Sequence, residues 1–265
     1  MSTLTVSVIA HNEAQELDGC LQSVRWADEI IVVDCSSTDG TYEVGRTYTD
    51  KVFRRENMTN LNVNKSFGIS EATGKWILYI DPDERVPDPL RDEILSVIHA
   101  DSLCDGYFIP RRNYYFGRWL RRGGKYPDYQ LRLFRRGKGH FPCEHIHERI
   151  RIDGNVGYLQ VHLEHYPYRT ISQFVEKFNF YTSCEAEYLS HRKVPINAMT
   201  KARHLVFRPL SRMVRRYLFK GGLFDGLGGF LACEFDALGS IVSFAKYVER
   251  EKELADERSM TKDGA

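Results

Sequence analysis

The chain contains 265 residues, of which 42% are hydrophobic and 28% charged, and its formal net charge at pH 7 is +1. These values are ordinary for a globular protein and predict one large domain, or one domain with an appendage. The six cysteines are widely spaced and include no Cys-x-x-Cys pair, which argues against a zinc ribbon or a disulfide framework and favours a reducing cytoplasm.

The first 80 residues are predicted to alternate strands with helices. Apolar runs at 4–10, 29–34, 51–54 and 76–80 read as strands, and helical patterns lie between them, one of them over 64–72. Because strands that alternate with helices pair in parallel through right-handed crossovers, we expect an α/β fold with a mostly parallel central sheet. The first run lacks the basic lead and the long apolar core of a signal peptide, so we expect a protein that is not exported.

Polar and acidic side chains follow three of these predicted strands. Asn12 and Glu13 come after the first strand, Asp34 ends the second, and Asp81 and Asp83 follow the strand at 76–80. The carboxyl ends of strands in open α/β sheets bind ligands, and oxygen ligands there suit Mg²⁺ or Mn²⁺ bridging a diphosphate. The alternative is that Asn12 and Asp34 cap helices and that the last pair forms an acidic turn ahead of the next helix.

Three motifs give the chain a specific resemblance. Residues 6–13 read Val-Ser-Val-Ile-Ala-His-Asn-Glu, residues 31–41 read Ile-Val-Val-Asp-Cys-Ser-Ser-Thr-Asp-Gly-Thr, and residues 68–83 end in Tyr-Ile-Asp-Pro-Asp. In this order they resemble glycosyltransferase family 2, whose members are nucleotide-sugar enzymes with the Rossmann-like GT-A fold, a central sheet flanked by helices. The resemblance covers the first two-thirds of the chain.

The resemblance implies roles for most of these side chains. Contacts to uridine or an equivalent nucleoside would come from Ala10, Asn12, Glu13 and Asp34. Asp81 would serve the nucleotide-sugar and Asp83 a Mg²⁺ or Mn²⁺ ion. Lys65 falls where the family often has a basic residue facing the nucleotide, although a solvated helix lysine is an equally good interpretation.

The segment 126–134 contains the candidate catalytic base. In family 2 enzymes an acidic pair ahead of an apolar-Arg segment supplies this base, and Asp128 holds the second position of that pair, while Pro127 replaces the first acid. An inverting transfer requires such a carboxylate, because the acceptor hydroxyl must lose its proton as its oxygen attacks C1 and the nucleoside diphosphate departs.

Histidines and glutamates cluster at 144–148 and again near His165. A His-x-His pair could bind zinc, but a closed zinc site needs further ligands that the cysteines do not offer. This element resembles the subgroup of family 2 that includes lipopolysaccharide core glucosyltransferases, which implies that Glu144 and His147 line the acceptor side, with Glu148 as a second candidate catalytic carboxylate. A polar hairpin is the alternative. His165 closes a predicted strand over 158–165 and, by the same resemblance, completes the metal's shell.

The last third of the chain has a different character. Between Tyr188 and Phe224 there are nine Lys or Arg and no Asp or Glu, whereas the remainder, with 28 basic and 36 acidic residues, has a net charge of −8. Residues 192–220 read as a basic amphipathic helix that lies on anionic lipid headgroups. Beyond residue 220 the longest uncharged run is too short to span a bilayer, so we expect it to lie on the membrane, pack on the catalytic domain or contact a second copy of the chain.

These observations predict a GT-A domain over residues 1–190 and a helical appendage over 191–265, peripheral on the inner face of the cytoplasmic membrane. The expected reaction is inverting transfer of a hexose, glucose from UDP-glucose, onto a lipid-linked saccharide such as the lipopolysaccharide inner core. Two alternatives are a family 2 enzyme that glycosylates a peptide side chain and a nucleotide-sugar-binding protein without activity. Nucleic-acid binding is disfavoured, because the cations of 192–220 are interleaved with large aliphatic side chains.

Overall fold

A computed structural model describes residues 3–58, 60–100, 103–143 and 149–263, with side chains up to residue 256. By its internal contacts the chain divides into two compact units. The first unit comprises Met1–Arg112 and Pro127–Tyr166, and the second comprises Asn113–Tyr126 and Pro167–Ala265. The division into domains at residue 190 stays a prediction.

The amino-terminal half of the first unit is the predicted alternation of strands and helices. Its four strands lie in parallel in the order β3-β2-β1-β4. All residues of β1 and β4 are buried, as expected for parallel strands covered on both faces. The elements are β1 (Leu4–Ala10), α1 (Ala14–Ser23), β2 (Glu29–Asp34), α2 (Thr41–Arg46), β3 (Val52–Arg54), α3 (Leu61–Ser70) and β4 (Trp76–Ile80).

The helix predicted from residue 64 begins earlier, at Leu61. The side chain of Asn60 accepts a hydrogen bond from the backbone N–H of Asn62 at 3.1 Å, which caps the first turn. The next long helix begins at Asp88, which forms an ion pair with Arg91 at 2.9 Å, and no described side chain caps its first turn.

Antiparallel strands extend the sheet beyond β4. Strand β8 runs antiparallel to both β4 and β6, and the order continues through β12 to β5. The predicted α/β GT-A fold is confirmed, but the expectation of a mostly parallel sheet is wrong, because the strands beyond β4 pair mainly antiparallel and make the sheet mixed. The further elements are β5 (Glu84–Arg85), α4 (Asp88–His99), β6 (Gly106–Tyr115), β7 (Arg118–Trp119), β8 (Asp128–Arg135), β9 (Gly139–His140), β10 (Arg151–Ile152), β11 (Val156–Tyr158) and β12 (Leu163–Tyr168).

The strand predicted over 158–165 is wrong in its bounds. Strand β11 ends at Tyr158 and β12 begins only at Leu163. Between them, the backbone N–H groups of Gln160 and Val161 donate to the carboxylate of Glu93 at 2.9 and 2.8 Å. A side chain therefore satisfies backbone groups that the predicted strand would have paired.

The second unit is largely helical. Thr170 caps α5 by accepting a hydrogen bond from the N–H of Gln173 at 3.1 Å. The basic segment is helical from Ala198 to Phe219, with π-helical turns on either side of α7. Helix α8 packs against α5 and α7. The helices are α5 (Ile171–His191), α6 (Ala198–Ala202), α7 (Arg208–Met213) and α8 (Gly226–Asp263), with π turns at Arg203–Phe207 and Val214–Phe219 and a 3₁₀ turn at Gly222–Asp225.

Among the described residues, the helical stretch Gly222–Asp256 is long and apolar enough to cross a membrane by length and composition. Its uncharged runs are short, because charged side chains interrupt it, but its mean hydropathy over a long window is that of a membrane-spanning helix. In its most apolar window 39% is buried against the rest of the structure. Core helices of soluble proteins meet the same criterion, so this is weak evidence for a membrane span.

Candidate functional site

The ends of β1, β2 and β4 lie at one edge of the sheet. Ala10 pairs with Asp34 across β1 and β2, and Val8 pairs with Ile80 across β1 and β4, so Asp81 follows at the level of Ile9. With neighbouring strands about 4.8 Å apart, Asp34 and Asp81 are separated by two strand spacings, about 10 Å. Acids distant in the sequence are therefore brought together at this edge.

Two loops at this edge hold each other through side-chain hydrogen bonds. Asn12 adopts a left-handed backbone conformation, with φ of 53°. Its side-chain oxygen accepts from the N–H of Thr38 at 2.8 Å, and its own N–H donates to the hydroxyl of Ser37 at 2.9 Å. The N–H of Glu13 donates to the hydroxyl of Thr41 at 2.9 Å. The N-cap residue of α1 is Glu13, and the N–H of Ala14 donates to the carboxylate of Asp39 at 3.2 Å, so the capping alternative for Asn12 is wrong.

Asp34 is a fully buried carboxylate with unused hydrogen-bonding capacity. Its Oδ1 accepts a hydrogen bond from the N–H of Ser37 at 3.3 Å. Its Oδ2 is buried without a hydrogen bond in the described structure, and the Nε of Arg54 lies 3.7 Å away. A buried polar atom left in this state is costly unless a ligand completes it. Oδ2 is thus suited to accept a hydrogen bond from a bound molecule.

The carboxylate of Asp81 is held by Tyr79 and Arg132. The hydroxyl of Tyr79 donates to its Oδ1 at 2.5 Å, and Arg132 forms an ion pair with its Oδ2. Burial alone would raise the pKa of Asp81, but the charges of Arg132 and Lys65 and the bond from Tyr79 hold that pKa well below its usual range. The ammonium of Lys65 lies 5.1 Å from the centre of the Tyr79 ring. Burial lowers the pKa of Lys65, and the nearby carboxylate of Asp81 partly offsets this effect.

A continuous chain of ion pairs connects Asp81 to the candidate base. Arg132 also pairs with the fully buried Glu84 at 2.6 Å, and Glu84 pairs with Arg111 at 2.9 Å. Arg111 then donates to Asp128 Oδ2 from Nε and Nη2, at 3.0 and 2.6 Å. We call these five residues the charged network. Sequence reasoning assigned roles to its two end members and missed the three between them.

Strand pairing explains the geometry of the charged network. Arg111 in β6 lies directly opposite Asp128 in β8. Further along, Tyr107 pairs with Leu133 but Phe108 pairs with Leu131, so Arg132 is an extra residue at a β-bulge. Bulges redirect a side chain out of the regular alternation, which here accompanies the turn of Arg132 toward Asp81. The sequence signal was the polar side chain at every second position from Asp128 to Arg132.

Asp83 and His165, the two predicted metal ligands, lie side by side. The Oδ2 of Asp83 is 3.5 Å from the Nε2 of His165, and both side chains are largely buried. Adjacent ligands of an octahedral ion with bond lengths of 2.0–2.1 Å are about 3 Å apart, so the pair fits two positions around one divalent ion. Within the described residues no group of three or more His, Cys, Asp or Glu side chains could hold a metal. The remaining ligands would have to come from a bound diphosphate or water.

The predicted acceptor-side residues Glu144 and His147, and the candidate Glu148, lie outside the described residues. The chain just before them is anchored at the site. The ring of Phe141 packs edge-on against Tyr79, with centroids 5.8 Å apart. The side chain of Asn60 donates to the carbonyl of Cys143 at 3.1 Å.

Comparisons with known proteins agree with this architecture. The family model described as glycosyl transferase family 2 matches residues 5–179. The lipopolysaccharide core biosynthesis glycosyltransferase LpsC of Rhizobium meliloti is 29% identical over 254 residues, which cover 93% of this chain and 92% of that protein. An uncharacterized glycosyltransferase of Rickettsia typhi is 28% identical over 239 residues, with 85% and 81% covered.

Two solved structures are among those that match this chain. The structure of residues 1–349 of S. aureus TarS is 16% identical, with a TM-score of 0.48, and 98% of this chain and 92% of that chain are covered. The complex of glucosyl-3-phosphoglycerate synthase from Mycobacterium tuberculosis with Mn²⁺ and UDP-glucose is 21% identical, with a TM-score of 0.35 and 44% of each chain covered.

Proposed function

Because the chain belongs to glycosyltransferase family 2, we propose that it transfers glucose from UDP-glucose, with inversion at C1, onto a lipid-linked saccharide such as the lipopolysaccharide inner core. The observation that carries the proposal is the convergence of Asp34, Asp81, Asp83 and Asp128 on one sheet region, linked in part by the charged network. The acceptor class is taken from the similarity to LpsC.

The donor would be held by the sheet edge and its two loops. The open Oδ2 of Asp34 would accept a hydrogen bond from the base, and Ala10, Asn12 and Glu13 would surround the nucleoside. Asp81 would accept from a sugar hydroxyl, since Arg132 and Tyr79 fix the direction of its oxygens. The Lys65 ammonium is the nearby cation suited to the diphosphate.

Asp128 would act as the catalytic base. Arg111 holds its Oδ2 through two N–H groups, and the side-chain amide of Gln130 donates to Oδ1 at 2.8 Å. A carboxylate oxygen accepts more than one hydrogen bond, so Oδ1 can also accept a hydrogen bond from the hydroxyl of the acceptor sugar. As the oxygen of this hydroxyl bonds to C1 and the bond from C1 to the diphosphate breaks, the hydroxyl proton passes to Asp128.

Asp83 and His165 would hold a Mg²⁺ or Mn²⁺ ion. When bound, such an ion stabilises the negative charge that develops on a departing diphosphate. The predicted acceptor-side residues Glu144 and His147 stay proposals, as does Glu148.

Asp83→Ala is expected to remove metal-dependent donor binding, because it deletes the carboxylate of the proposed pair. With Mn²⁺ present, UDP-glucose affinity should fall by on the order of 10–100-fold, to the value that the unmodified protein shows in EDTA. Isothermal titration with and without Mn²⁺ measures this, and release of glucose or its transfer to an acceptor tests turnover. Asp50→Ala, which changes an exposed carboxylate of the same unit, is the control. Equal metal dependence in both variants would remove Asp83 from the metal site.

The basic helix is the proposed membrane contact. Apolar side chains that would ordinarily be buried are exposed along it, among them Phe207 at 66% and Phe219 at 83%. Arg203 and Arg215 are exposed on the same segment. Exposed apolar side chains mixed with cations are typical of helices that lie in a membrane interface.

Replacing Arg203 and Arg215 by Glu is expected to weaken binding to phosphatidylglycerol vesicles at least about tenfold, since each basic residue near an anionic surface contributes about 1 kcal/mol. Vesicle co-sedimentation measures the change. Replacing Arg25 and Lys75 by Glu alters the net charge equally at exposed positions of the first unit and is the control. If the first variant stays bound while its oligomeric state changes, the segment is a contact between copies of the chain.

A further inference from the structure

A cavity of about 310 Å³ lies within the second unit and takes no part in the proposed chemistry. Its volume is at the small end of the range for ligand sites, about 300–1,000 Å³, so it suits one sugar-sized group rather than a long chain. Helices α5, α7 and α8 contribute to its walls. We call it the aromatic–arginine cavity, after the side chains that dominate its lining: Tyr115, Tyr168, Phe174, Phe178, Phe235, Arg208 and Arg212.

The aromatic rings of the cavity pack mainly edge to face. Tyr115 meets Tyr168 at 81°, Tyr168 meets Phe174 at 66°, and Phe235 meets Phe174 and Phe178 at 64° and 74°. Phe174 and Phe178 are nearly parallel, but their centroids are only 6.4 Å apart. A planar base between two rings needs about 7 Å, twice the contact distance between carbon atoms. This wall therefore suits the C–H groups of a sugar ring better than an inserted nucleobase.

The arginines of the cavity lack carboxylate partners. Over the described residues, no carboxylate lies within 4 Å of the guanidinium of Arg208 or Arg212. Arg208 contacts the ring of His204 at 3.4 Å, and Arg212 donates to the carbonyl of Asp236 at 3.2 Å. Burial and the charges of Arg203 and Arg212 lower the pKa of Arg208. The lining therefore carries two guanidiniums that no described carboxylate neutralises by contact, whereas its third cation, Lys125, is paired with Asp236 at 2.9 Å.

Other polar side chains of the lining can also form hydrogen bonds with a ligand. The hydroxyl of Ser243 and the carboxylate of Glu185 make no hydrogen bond to any described residue. Glu185 acts on Arg208 only from beyond ion-pair distance. The ring of His204 stacks on that of Phe244, with centroids 4.7 Å apart. The cavity therefore offers a bound ligand two arginines for an anionic group, and Ser243 and Glu185 as hydrogen-bonding partners for hydroxyl groups.

We propose that the aromatic–arginine cavity binds a phosphorylated saccharide, with its phosphate on Arg208 and Arg212 and its sugar ring against the aromatic wall. An uncharged sugar would leave both guanidiniums without a counterion, and an acyl chain would leave Glu185 and Ser243 without partners. That this saccharide belongs to the acceptor rests on the proposed function. The binding site itself does not.

Titration of the full chain with glucose 1-phosphate and glucose 6-phosphate tests the binding. At least one of them is expected to bind at least tenfold more tightly than inorganic phosphate or methyl glucoside, because each of the latter offers only half of the proposed contacts. Equal affinity for inorganic phosphate would overturn the role of the aromatic wall. No binding of either hexose phosphate would overturn the proposal.

Variants locate the site. Replacing Arg208 and Arg212 together by Gln is expected to weaken hexose phosphate binding at least tenfold, while the control Arg250→Gln, an exposed arginine on α8, leaves it unchanged. Equal loss in the control, or no loss in the double variant, contradicts the assignment. Should the double variant not fold, phenylglyoxal labelling of the unmodified protein decides. Hexose phosphate should then protect Arg208 and Arg212 but leave Arg250 reactive, and equal labelling with and without it overturns the site.

Two further measurements separate this inference from the proposed function. UDP binding should be unchanged in the double variant, because that site belongs to the first unit. If UDP-glucose is turned over but no hexose phosphate binds, the cavity assignment fails and the proposed function stands. If hexose phosphates bind at Arg208 and Arg212 but UDP-glucose is neither bound nor turned over, the cavity assignment stands and the proposed function fails.

The double variant is also tested for vesicle binding. If it no longer binds vesicles but the unmodified protein binds hexose phosphate, the assignment of the cavity stands. If the double variant no longer binds vesicles and the unmodified protein binds no hexose phosphate, Arg208 and Arg212 belong to a membrane contact and the proposed saccharide site is wrong.

Discussion

Asp128→Asn is expected to reduce glucose transfer by about 10²–10⁴-fold while leaving UDP-glucose affinity unchanged. The amide keeps the shape of the side chain but cannot take the proton of an acceptor hydroxyl. Arg111 retains its pairing with Glu84, so the charged network loses one end and not its centre. Steady-state transfer rates together with donor titration measure the two effects separately.

Asp153→Asn is the matched control for this prediction, since it makes the same change at an exposed carboxylate of the same unit. Its transfer rate should equal that of the unmodified protein. If Asp128→Asn also transfers glucose at an undiminished rate, Asp128 is not the base. Glu148 and Glu144 would then be the next carboxylates to replace.

Arg132→Met is expected to destabilise the protein by about 3–5 kcal/mol, because it removes the cation shared by Asp81 and Glu84 from a site where both are held close to it. Methionine fills much of the volume, so the loss reflects charge more than packing. UDP-glucose affinity should fall as well, since Asp81 loses its orientation. Urea unfolding, with the slope compared between proteins, measures the change in the free energy of unfolding.

A second substitution makes this prediction specific. Adding Glu84→Gln to Arg132→Met removes one of the two carboxylates that paired with Arg132 and returns the charged network to its original net charge. The double variant should therefore recover part of the lost stability, which it would not do if the loss came from a packing defect. Arg135→Met changes an arginine on the same strand that lies over the ring of Trp76 at 4.6 Å, and it should cost much less. Equal losses at both arginines, without recovery in the double variant, would show that the charged network does not hold this region together.

The parts of the fold that could be predicted are those encoded locally. Apolar runs identified the four parallel strands of the amino-terminal half, and the acids at the ends of β1, β2 and β4 marked the sheet edge. The bounds failed where a distant side chain decided the outcome. Glu93 satisfies the N–H groups of Gln160 and Val161, and no pattern within 158–165 reveals a carboxylate 67 residues earlier in the chain.

The centre of the charged network was beyond reach for a similar reason. Arg111 and Asp128 meet because two antiparallel strands pair in one register, and Arg132 turns toward Asp81 at a bulge whose position depends on that register. The sequence contains each charged residue but does not reveal the strand pairing that places Arg111 opposite Asp128. The aromatic–arginine cavity likewise draws on residues as distant as Tyr115 and Ser243, which become neighbours only through the packing of α5, α7 and α8.

The buried oxygen of Asp34 bears on which nucleotide the enzyme would prefer. A carboxylate oxygen accepts hydrogen bonds and donates none, so it favours a pyrimidine that offers an imino hydrogen at ring position 3, as uracil does. Cytosine presents a lone pair at that position, and two lone pairs facing each other in a dry environment repel. Selectivity of UDP-sugars over CDP-sugars would then arise from this one atom, through rejection of the wrong base as much as through attraction of the right one.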